Sequence, residues 1–579
     1  MSHPTSVAPP GPVVDGEPTV TLSRTATGAP VPSAWHRVAR RLRDEDPVVG
    51  WVASVGVATL ALLLRLWHLG TPKEFAFDET YYAKDAWALF HAGYARDWSD
   101  GANEKVLSGA DPATLLTDTP AMIVHPEVGK WLIGLGEQVF GMTPFGWRIS
   151  AVVAGALMVL VMVRLTRRLT GSTLLGCVAG LLMCFDGLHF VLSRLALLDI
   201  FLALFTLCGV ACMAADRDWF RRRLADRLDS PVTTGWGPVV VWRPWLLASG
   251  LCWGLAVGTK WTALYPLAAF GLLVWLWSAG ARRSFGVRWS VLRSAVADGV
   301  PAFVHLVVVA AAVYTLSWAG WMAHSSAYEQ ALSSTQYTQY TGQGHCNDEQ
   351  TWVADNPDPN RRWPTATEPD ASGLGEVSQS LRSLWFYHRD VWTFHTQFLD
   401  CAEHTYASSP AGWLLLNRPV GVAAQTAIPP GDQGCTAPAG SDCLRQVLLL
   451  GNPMVWWGGI AALLAAVVLW AGARDWRYGV AVVGVASSWL PWFLYDDRPI
   501  FSFYAIVSLP FVVLALTLVL GRIVGPDRTP TRRRTAGVIV AGGYLALVLA
   551  NFAWFWPVYT HELLTHDAWL HRIWFERWI

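Results

Sequence analysis

Lysine is scarce in this sequence, with five among 43 basic residues in a chain of 579. Charge of either sign is sparse as well: charged residues make up 15% and the formal net charge is zero. That balance implies no nucleic-acid or other polyanionic partner. No Walker loop and no GxGxxG stands before a helix in a soluble domain, so a nucleotide substrate is not expected. No HExxH and no paired-cysteine spacing occurs, so no metal site is predicted; Asp78, Glu79 and Asp497 form only a weak candidate set for a divalent ion. No internal repeat is evident, and no small-residue cleavage site follows the first apolar run, which begins near Val48. That run is expected to remain as a spanning helix. What the chain does have is apolar and aromatic: 53% hydrophobic residues, 34 tryptophans and a mean hydropathy of +0.32. A polytopic membrane protein follows.

Spanning helices are expected near 49–69, 146–165, 172–191, 195–215, 244–258, 261–279, 300–322, 453–472, 478–495, 502–521 and 537–557, eleven in all. The piece Trp131 to Phe140 is too short to span and reads as an interfacial helix. Arginines set the orientation. Arg37, Arg40, Arg41 and Arg43 precede the first span. Arg164, Arg167, Arg168, Arg217, Arg221 to Arg223, Arg282, Arg283, Arg288, Arg474, Arg477, Arg528 and Arg532 to Arg534 fall in loops on the same side. The N-terminus is then cytoplasmic and the C-terminus outside. The chain divides into a disordered cytoplasmic tail with a basic flank (1–47), an N-terminal transmembrane region (48–322) with a first outer loop (70–145), a long extracytoplasmic loop (323–452) and a C-terminal transmembrane region (453–579). All five lysines fall on the outer side, against the usual bias.

Cys177, Cys184, Cys208, Cys212 and Cys252 sit in apolar helices and read as small packing residues. Cys346, Cys401, Cys435 and Cys443 share the long outer loop, where two disulfides are expected. Cys435 with Cys443 and Cys346 with Cys401 is one of three possible pairings. The same loop carries Trp385-Phe386-Tyr387-His388, Trp392-Thr393-Phe394-His395 and His404-Thr405-Tyr406. Such text suits an interfacial amphipathic helix lying over a site.

The stretch from Glu74 to Lys84 holds an acid pair, Asp78 and Glu79, among aromatics where the chain leaves the membrane. Carboxylates at a membrane mouth are costly to desolvate and are functional candidates. The topology places Lys130, Arg148, Arg194, Lys260 and Arg498 at the same outer boundary, with Asp186, His189 and Asp199 close by. Any one of these cations alone reads as a snorkelling anchor. Five on one face beside an acid pair suit a lipid-phosphate substrate, because guanidinium grips phosphate through a fork of N–H donors. A carboxylate beside it can take a proton from an incoming hydroxyl.

Several of these stretches resemble the protein O-mannosyltransferase family in its bacterial, actinobacterial-looking form. Phe77-Asp78-Glu79-Thr80-Tyr81-Tyr82 is similar to the acid motif of the family's first outer loop. His125-Pro126-Glu127-Val128-Gly129-Lys130 resembles its His-Pro-Pro-Leu-Gly-Lys element, with Glu127 in place of the second proline. Gly146-Trp147-Arg148, Phe185-Asp186-Gly187, Ser193-Arg194-Leu195 with Leu198-Asp199, and Gly258-Thr259-Lys260-Trp261 follow in the family's order. His404-Thr405-Tyr406, Arg418-Pro419-Val420, Gly451-Asn452-Pro453 and Arg498 with Phe501 and Tyr504 complete the set over about residues 50–579. Thr405 replaces the proline of a His-Pro-Tyr element, and Phe503 stands where some members carry histidine. No β-trefoil insert of the eukaryotic kind is evident.

The resemblance implies an all-α polytopic membrane protein of the GT-C glycosyltransferase fold, with about eleven transmembrane helices and outer-face interfacial helices. It implies an inverting transfer of mannose from polyprenyl-phosphate-mannose to Ser or Thr of secreted proteins, at the outer face of the cell membrane. Asp78 would take the acceptor proton, and Glu79 would bind acceptor or support the site. Arg148, Arg498, Lys130, Arg194 and Lys260 would neutralise donor phosphate, with His125, Asp186, Asp199, His404 and Tyr504 in support. The polyprenyl tail would lie between helices, against membrane lipid. No cofactor is expected beyond the lipid-linked donor, and a secretion translocon is a further partner. Two other readings stand beside this one. The first keeps the fold and transfers sugar from polyprenyl phosphate to a cell-envelope glycan or lipid. The second is a lipid-sugar transporter, which would show midplane charges and repeat symmetry.

Overall fold

The structure is a computed structural model and describes residues 46–227, 235–333, 362–399, 402–525 and 531–579. The N-terminal tail before Asp46, Arg528, Cys346 and Cys401 lie outside the described residues.

Side chains in the sequence start the spanning helices. Asp46 accepts a hydrogen bond from the Val48 amide and Pro47 opens α1 (Pro47–Leu66). Thr143 with Pro144 opens α4 (Pro144–Thr170), after the shorter α2 (Glu79–Ala92) and α3 (Val128–Phe140). Ser172 caps α5 (Thr173–Cys184) through the Leu175 amide. In each case a hydroxyl or carboxylate takes up an otherwise unpaired helical N–H, and proline needs none. The next helices are α6 (Leu198–Asp226), α7 (Pro244–Val257) and α8 (Leu264–Ser284). A composite span covers Gly299–Ser317 through a π-turn and ends in α9 (Val309–Ser317). A helix of the long loop, α10 (Leu374–Thr393), precedes α11 (Pro453–Ala471), α12 (Trp476–Trp489), α13 (Leu509–Val524) and α14 (Arg532–Tyr559).

All eleven expected segments are helical. Among the described residues, seven are long and apolar enough to cross a membrane. Three more, α5, α7 and α13, are shorter apolar helices. The last, α12, continues as a 3₁₀ turn over Leu490–Leu494. The expected segment 172–191 breaks at Phe185-Asp186, and a separate short helix, Gly187–Leu192, follows. Burial separates centre from rim: 78% of the apolar stretch of α6 is enclosed by protein, against 17% for α1. The helix α6 packs against α4, α7 and α8, and α11, α12 and α13 form a second packed group. Arginine-bearing helix ends meet on one face. Arg168 pairs with Asp218 at 3.3 Å, and Arg217 stacks on Trp476 at 3.5 Å.

Where α7 crosses the composite span, Gly250 lets the backbones touch. A Cβ there would lie 1.9 Å from the carbonyl oxygen of His305, inside the π-turn. The variant Gly250→Ala is expected to lose about 1–3 kcal/mol to overpacking. A lowered thermal midpoint in detergent checks this, and an unchanged midpoint would show that the two helices part freely.

The opposite face carries the loops, and here the chain departs from an all-helical reading. Strands β1 (Arg96–Trp98) and β2 (Leu116–Pro120) pair antiparallel. A second antiparallel sheet orders β3 (Val420–Ile428), β4 (Cys443–Leu449) and β5 (Leu564–Thr565). These strands are short and half-polar, so their alternation is lost among long apolar helices. The Cys435–Cys443 disulfide closes the connection between β3 and β4, as one of the expected pairings has it. The interfacial helix expected at 131–140 is α3, beginning at Val128. The aromatic text of the long loop forms α10 and a π-turn, Phe394–Phe398, while His404 to Tyr406 lies in a turn beyond it.

Candidate active site

The turn before α2 positions the acid pair. Phe77 holds a left-handed φ of 54°, an uncommon conformation for a side chain of its size. Its ring is clamped edge-on by Phe501 at 5.6 Å, Phe503 at 5.9 Å and His404 at 6.0 Å. Asp78 then occupies the N-cap position of α2 but makes no capping bond with its side chain, which leaves the carboxylate available. The Tyr82 hydroxyl, one turn on, donates to Asp78 Oδ2 at 3.4 Å. Asp78 and Glu79 are adjacent in sequence and part company in space, because consecutive helical residues do not share a face.

Glu79 points inward and is fully enclosed, as is Arg148. Arg148 Nε donates to Glu79 Oε1 at 2.8 Å and Nη2 to Oε2 at 2.7 Å, a bidentate pair. The amides of Ala196 and Ala76, each at 2.9 Å, fill the remaining lone pairs of the carboxylate. The other N–H groups of Arg148 go to the carbonyls of Leu69, Pro72 and Glu74. The guanidinium has no donor left for a ligand. The pair ties the first outer loop to α4 and to the segment ahead of α6.

Asp78 faces outward into a charged group. Lys260 Nζ donates to both oxygens of Asp199, at 3.0 and 2.8 Å, and lies 5.0 Å over the Tyr504 ring. Burial pushes the Asp78 carboxyl up to about 6; the Lys260 charge opposes this, Asp199 adds to it, and the Tyr82 hydroxyl opposes it again. A carboxylate accepts a proton only when ionised. Activity is therefore expected to rise with pH through about 6 and then level off, falling about tenfold per pH unit on the acid side. A kcat/KM profile over that window checks it; a flat profile would remove Asp78 from proton transfer.

The remaining expected cations divide. Lys130 is buried and pairs with Asp85 at 2.8 Å. Arg194 donates to the His68 carbonyl at 3.2 Å, lies over the Phe190 ring and keeps a buried Nη1 without a partner. Arg498 Nη1 meets His395 Nδ1 at 2.8 Å and the His395 carbonyl at 3.3 Å, while its buried Nε has no partner. Guanidinium can only donate, so His395 Nδ1 accepts and its Nε2 carries the proton given to the Val124 carbonyl at 3.1 Å. Burial, the Arg498 charge and Lys260 pull His395 down to about 4, in keeping with a neutral ring. His125 stacks on His395 at 5.6 Å, and burial holds it well below its usual range.

Two openings adjoin the groups around Asp78, which itself lines neither. A narrow groove, with only about 20 Å³ of free internal space, is lined by Asp199, Lys260, Tyr265, Trp492, Tyr495 and Tyr504 and runs between α8 and α12. An open cleft of about 510 Å³ is lined by Glu403, His404, Asp496, Asp497 and Arg498. Lys260 bears on the Asp78 charge from the first, and Phe77 touches His404 of the second. The structure thus brings together Asp78, His125, Asp199, Lys260, His404, Arg498 and Tyr504. It sets Asp186 apart, where its oxygens accept from the amides of His189 and Asn452 and from Trp456 Nε1. Two site residues were not singled out from sequence. Tyr82 lies one helical turn from Asp78, a spacing that could have flagged it. His395 lies on the α10 extension, and no local signal pairs it with Arg498.

A membrane body of helices with a cluster of buried charges on its loop face is the arrangement of a GT-C glycosyltransferase. The fold matches a Saccharomyces cerevisiae protein O-mannosyltransferase, the Pmt1-Pmt2 complex bound to the sugar donor, with a TM-score of 0.65 over 94% of each chain at 15% identity. The chain belongs to the dolichyl-phosphate-mannose-protein mannosyltransferase family, whose profile matches residues 55–327, with the C-terminal four-helix region of protein O-mannosyltransferases matching 380–578. It is 34% identical over 543 residues to a polyprenol-phosphate-mannose–protein mannosyltransferase of Mycolicibacterium smegmatis, covering 92% of this chain and 94% of that one. It is 33% identical over 541 residues to the protein of the same name from Mycobacterium tuberculosis, covering 92% of each.

Proposed function

We propose that this chain transfers mannose from polyprenyl-phosphate-mannose to Ser and Thr hydroxyls of secreted proteins, at the outer face of the cell membrane. The observation that carries the reading is Asp78, a carboxylate free of capping duty beside the charges of Lys260 and Asp199. The names of the relatives supply the donor and the protein acceptor. The acceptor hydroxyl enters by the open cleft and gives its proton to Asp78. Its oxygen attacks C1 of mannose on the face opposite the phosphate, the C1–O bond breaks, and the electron pair leaves on polyprenyl phosphate. One displacement inverts the anomeric centre.

The leaving phosphate gains charge beside Lys260 and Arg498, which is where fixed cations accelerate the step. The seam between α8 and α12, which must widen to admit the polyprenyl chain, takes the first isoprene units. With those cations in place the reaction needs no further cofactor. Glu79, Arg148 and Lys130 act by holding the site's frame, and Arg194 stands behind them with a free N–H. The arginine-rich helix ends support a cytoplasmic placement of the opposite face, and the Cys435–Cys443 bridge suits an oxidising outer compartment. A translocon beside this face would present acceptors before they fold.

The test uses the purified protein in liposomes with polyprenyl-phosphate-mannose and two acceptors, a Ser/Thr-rich peptide and a mannose-terminated glycan. Mannosylated peptide is the expected product. Extension of the glycan with the peptide untouched would assign the chain to envelope-glycan synthesis, and sugar moved across the bilayer without either product would assign it to transport.

A further inference from the structure

The seam between α8 and α12 leads from the charges around Lys260 to the apolar outside of the bundle, and it is shut. Its free internal space of about 20 Å³ has room for about one water molecule and none for an isoprene unit. Both lips are apolar. Leu264 on α8 is exposed, as are Leu490, Phe493 and Leu494 on the 3₁₀ turn that extends α12. Leu272 and Leu276 continue that surface along α8. So continuous an exposed apolar surface on a spanning helix faces lipid. At the inner end stand Asp199, Lys260 and Tyr504. For a phosphate beside Lys260 whose tail stays in the bilayer, this seam is the path between the two.

The seam is held differently at its two ends. At the arginine-bearing end Trp277 of α8 and Trp476 of α12 meet edge-on at 5.5 Å. The Arg217 guanidinium lies over both rings, at 5.8 and 3.5 Å. At the loop end the hydroxyls of Tyr265, in the first turn of α8, and Tyr495, just beyond the 3₁₀ turn, meet at 2.5 Å. Among the described residues this is the one hydrogen bond joining 261–284 to 476–495. The serine hydroxyls that line the seam turn away from α8. Ser487 donates to the Gly484 carbonyl, and Ser488 bonds to that carbonyl and to Ser508. Two indoles and a guanidinium in contact resist parting over a broad area. The phenol pair parts when one bond breaks, so the seam opens at the loop end and hinges at the arginines.

We propose that Tyr265 and Tyr495 are the latch of the donor's lateral entrance, bonded while the seam is closed and parted while a polyprenyl chain lies in it. This rests on the reading above, in which the donor is a polyprenyl phosphate seated beside Lys260. The bond exists only on the closed side of the equilibrium, so it opposes donor binding. One hydrogen bond is worth about two- to tenfold in an equilibrium constant. Removing either hydroxyl removes the opposition, and the donor then binds more tightly through a faster on-rate. The sign is the reverse of that for a side chain that grips the donor, although both tyrosines line the groove.

The test follows binding of radiolabelled undecaprenyl phosphate to the full-length protein in detergent micelles, as on- and off-rates. Tyr265→Phe, Tyr495→Phe and the double variant are each expected to lower Kd by about two- to tenfold. The double variant should gain no more than either single one, because each removes the same bond. Weaker binding in a single variant would make that phenol a donor contact. Unchanged binding would leave the bond no part in admission, and a double variant that gains the product of the two singles would mean that the phenols act apart. Each of these results overturns the latch while leaving the donor reading in place. Wild-type protein that takes up no polyprenyl phosphate would overturn both. The readout uses no acceptor, so tightening would stand even if the peptide of the earlier test went unmannosylated. In a second arm, Tyr265→Cys and Tyr495→Cys are bridged by a bis-maleimide, with the two single-cysteine variants treated identically as controls. The bridged protein is expected to lose uptake. Uptake at the control rate would put the entrance elsewhere and overturn the proposal.

Discussion

The variant Arg148→Ala is expected to lose about 3–5 kcal/mol of stability. The loss comes less from the missing guanidinium than from what it leaves behind. Glu79 is fully enclosed, and without its partner two amides alone would hold an ionised carboxylate away from water. Three carbonyls of the first outer loop, on Leu69, Pro72 and Glu74, would lose their donor at the same time. Domains carry about 5–15 kcal/mol in total, so the loss removes a large share of the stability margin and should lower the yield of folded protein. The double variant Glu79→Leu with Arg148→Met is expected to be more stable than either single change, since it removes both charges together. Thermal midpoints of the purified variants decide it. A folded, ordinary midpoint for Arg148→Ala, joined to a raised donor KM, would return Arg148 to the donor-binding role implied by its motif.

The second large effect is on turnover. The variant Asp78→Asn is expected to lower kcat by about 10²–10⁴, the range for removing a general base. Asparagine keeps the shape and still accepts from the Tyr82 hydroxyl, so folding should be ordinary. It cannot take a proton at neutral pH. It also removes one negative charge from a group that holds Asp199 and Lys260, so donor binding should hold or tighten. Steady-state kinetics on the peptide acceptor separate the two quantities. A fall in kcat with donor KM unchanged or lower is the expected pattern. A raised donor KM at ordinary kcat would make Asp78 a donor-binding residue instead.

These two variants mark where sequence and structure part. The motif set Asp78 beside Glu79 as one acid pair. In three dimensions they do different things, because the first residues of a helix splay neighbouring side chains to different faces. Arg148 is 69 residues from Glu79, and nothing local announces that all its donors are spent inside the protein. The same holds for Lys130 with Asp85 and Lys260 with Asp199, whose partners are set by helix packing. What was readable is of another kind. Spanning helices announce themselves through long apolar runs, and their starts through Asp46-Pro47, Thr143-Pro144 and Asn452-Pro453. The helix α10 was readable from its tryptophan and histidine spacing. The small sheets were not, since two to nine residues of alternation carry little signal beside long helices.

The most direct measurement is a single turnover. Enzyme in excess binds polyprenyl-phosphate-mannose in liposomes, donor occupancy is measured, and a threonine peptide is added before quenching at intervals. The wild-type chain should convert bound donor to mannosyl-peptide in one exponential phase, with the anomeric centre inverted. Asp78→Asn, with donor equally bound, should form that product at least about 10²-fold more slowly. Mannosyl-peptide formed by Asp78→Asn at the wild-type rate would contradict the account at its centre.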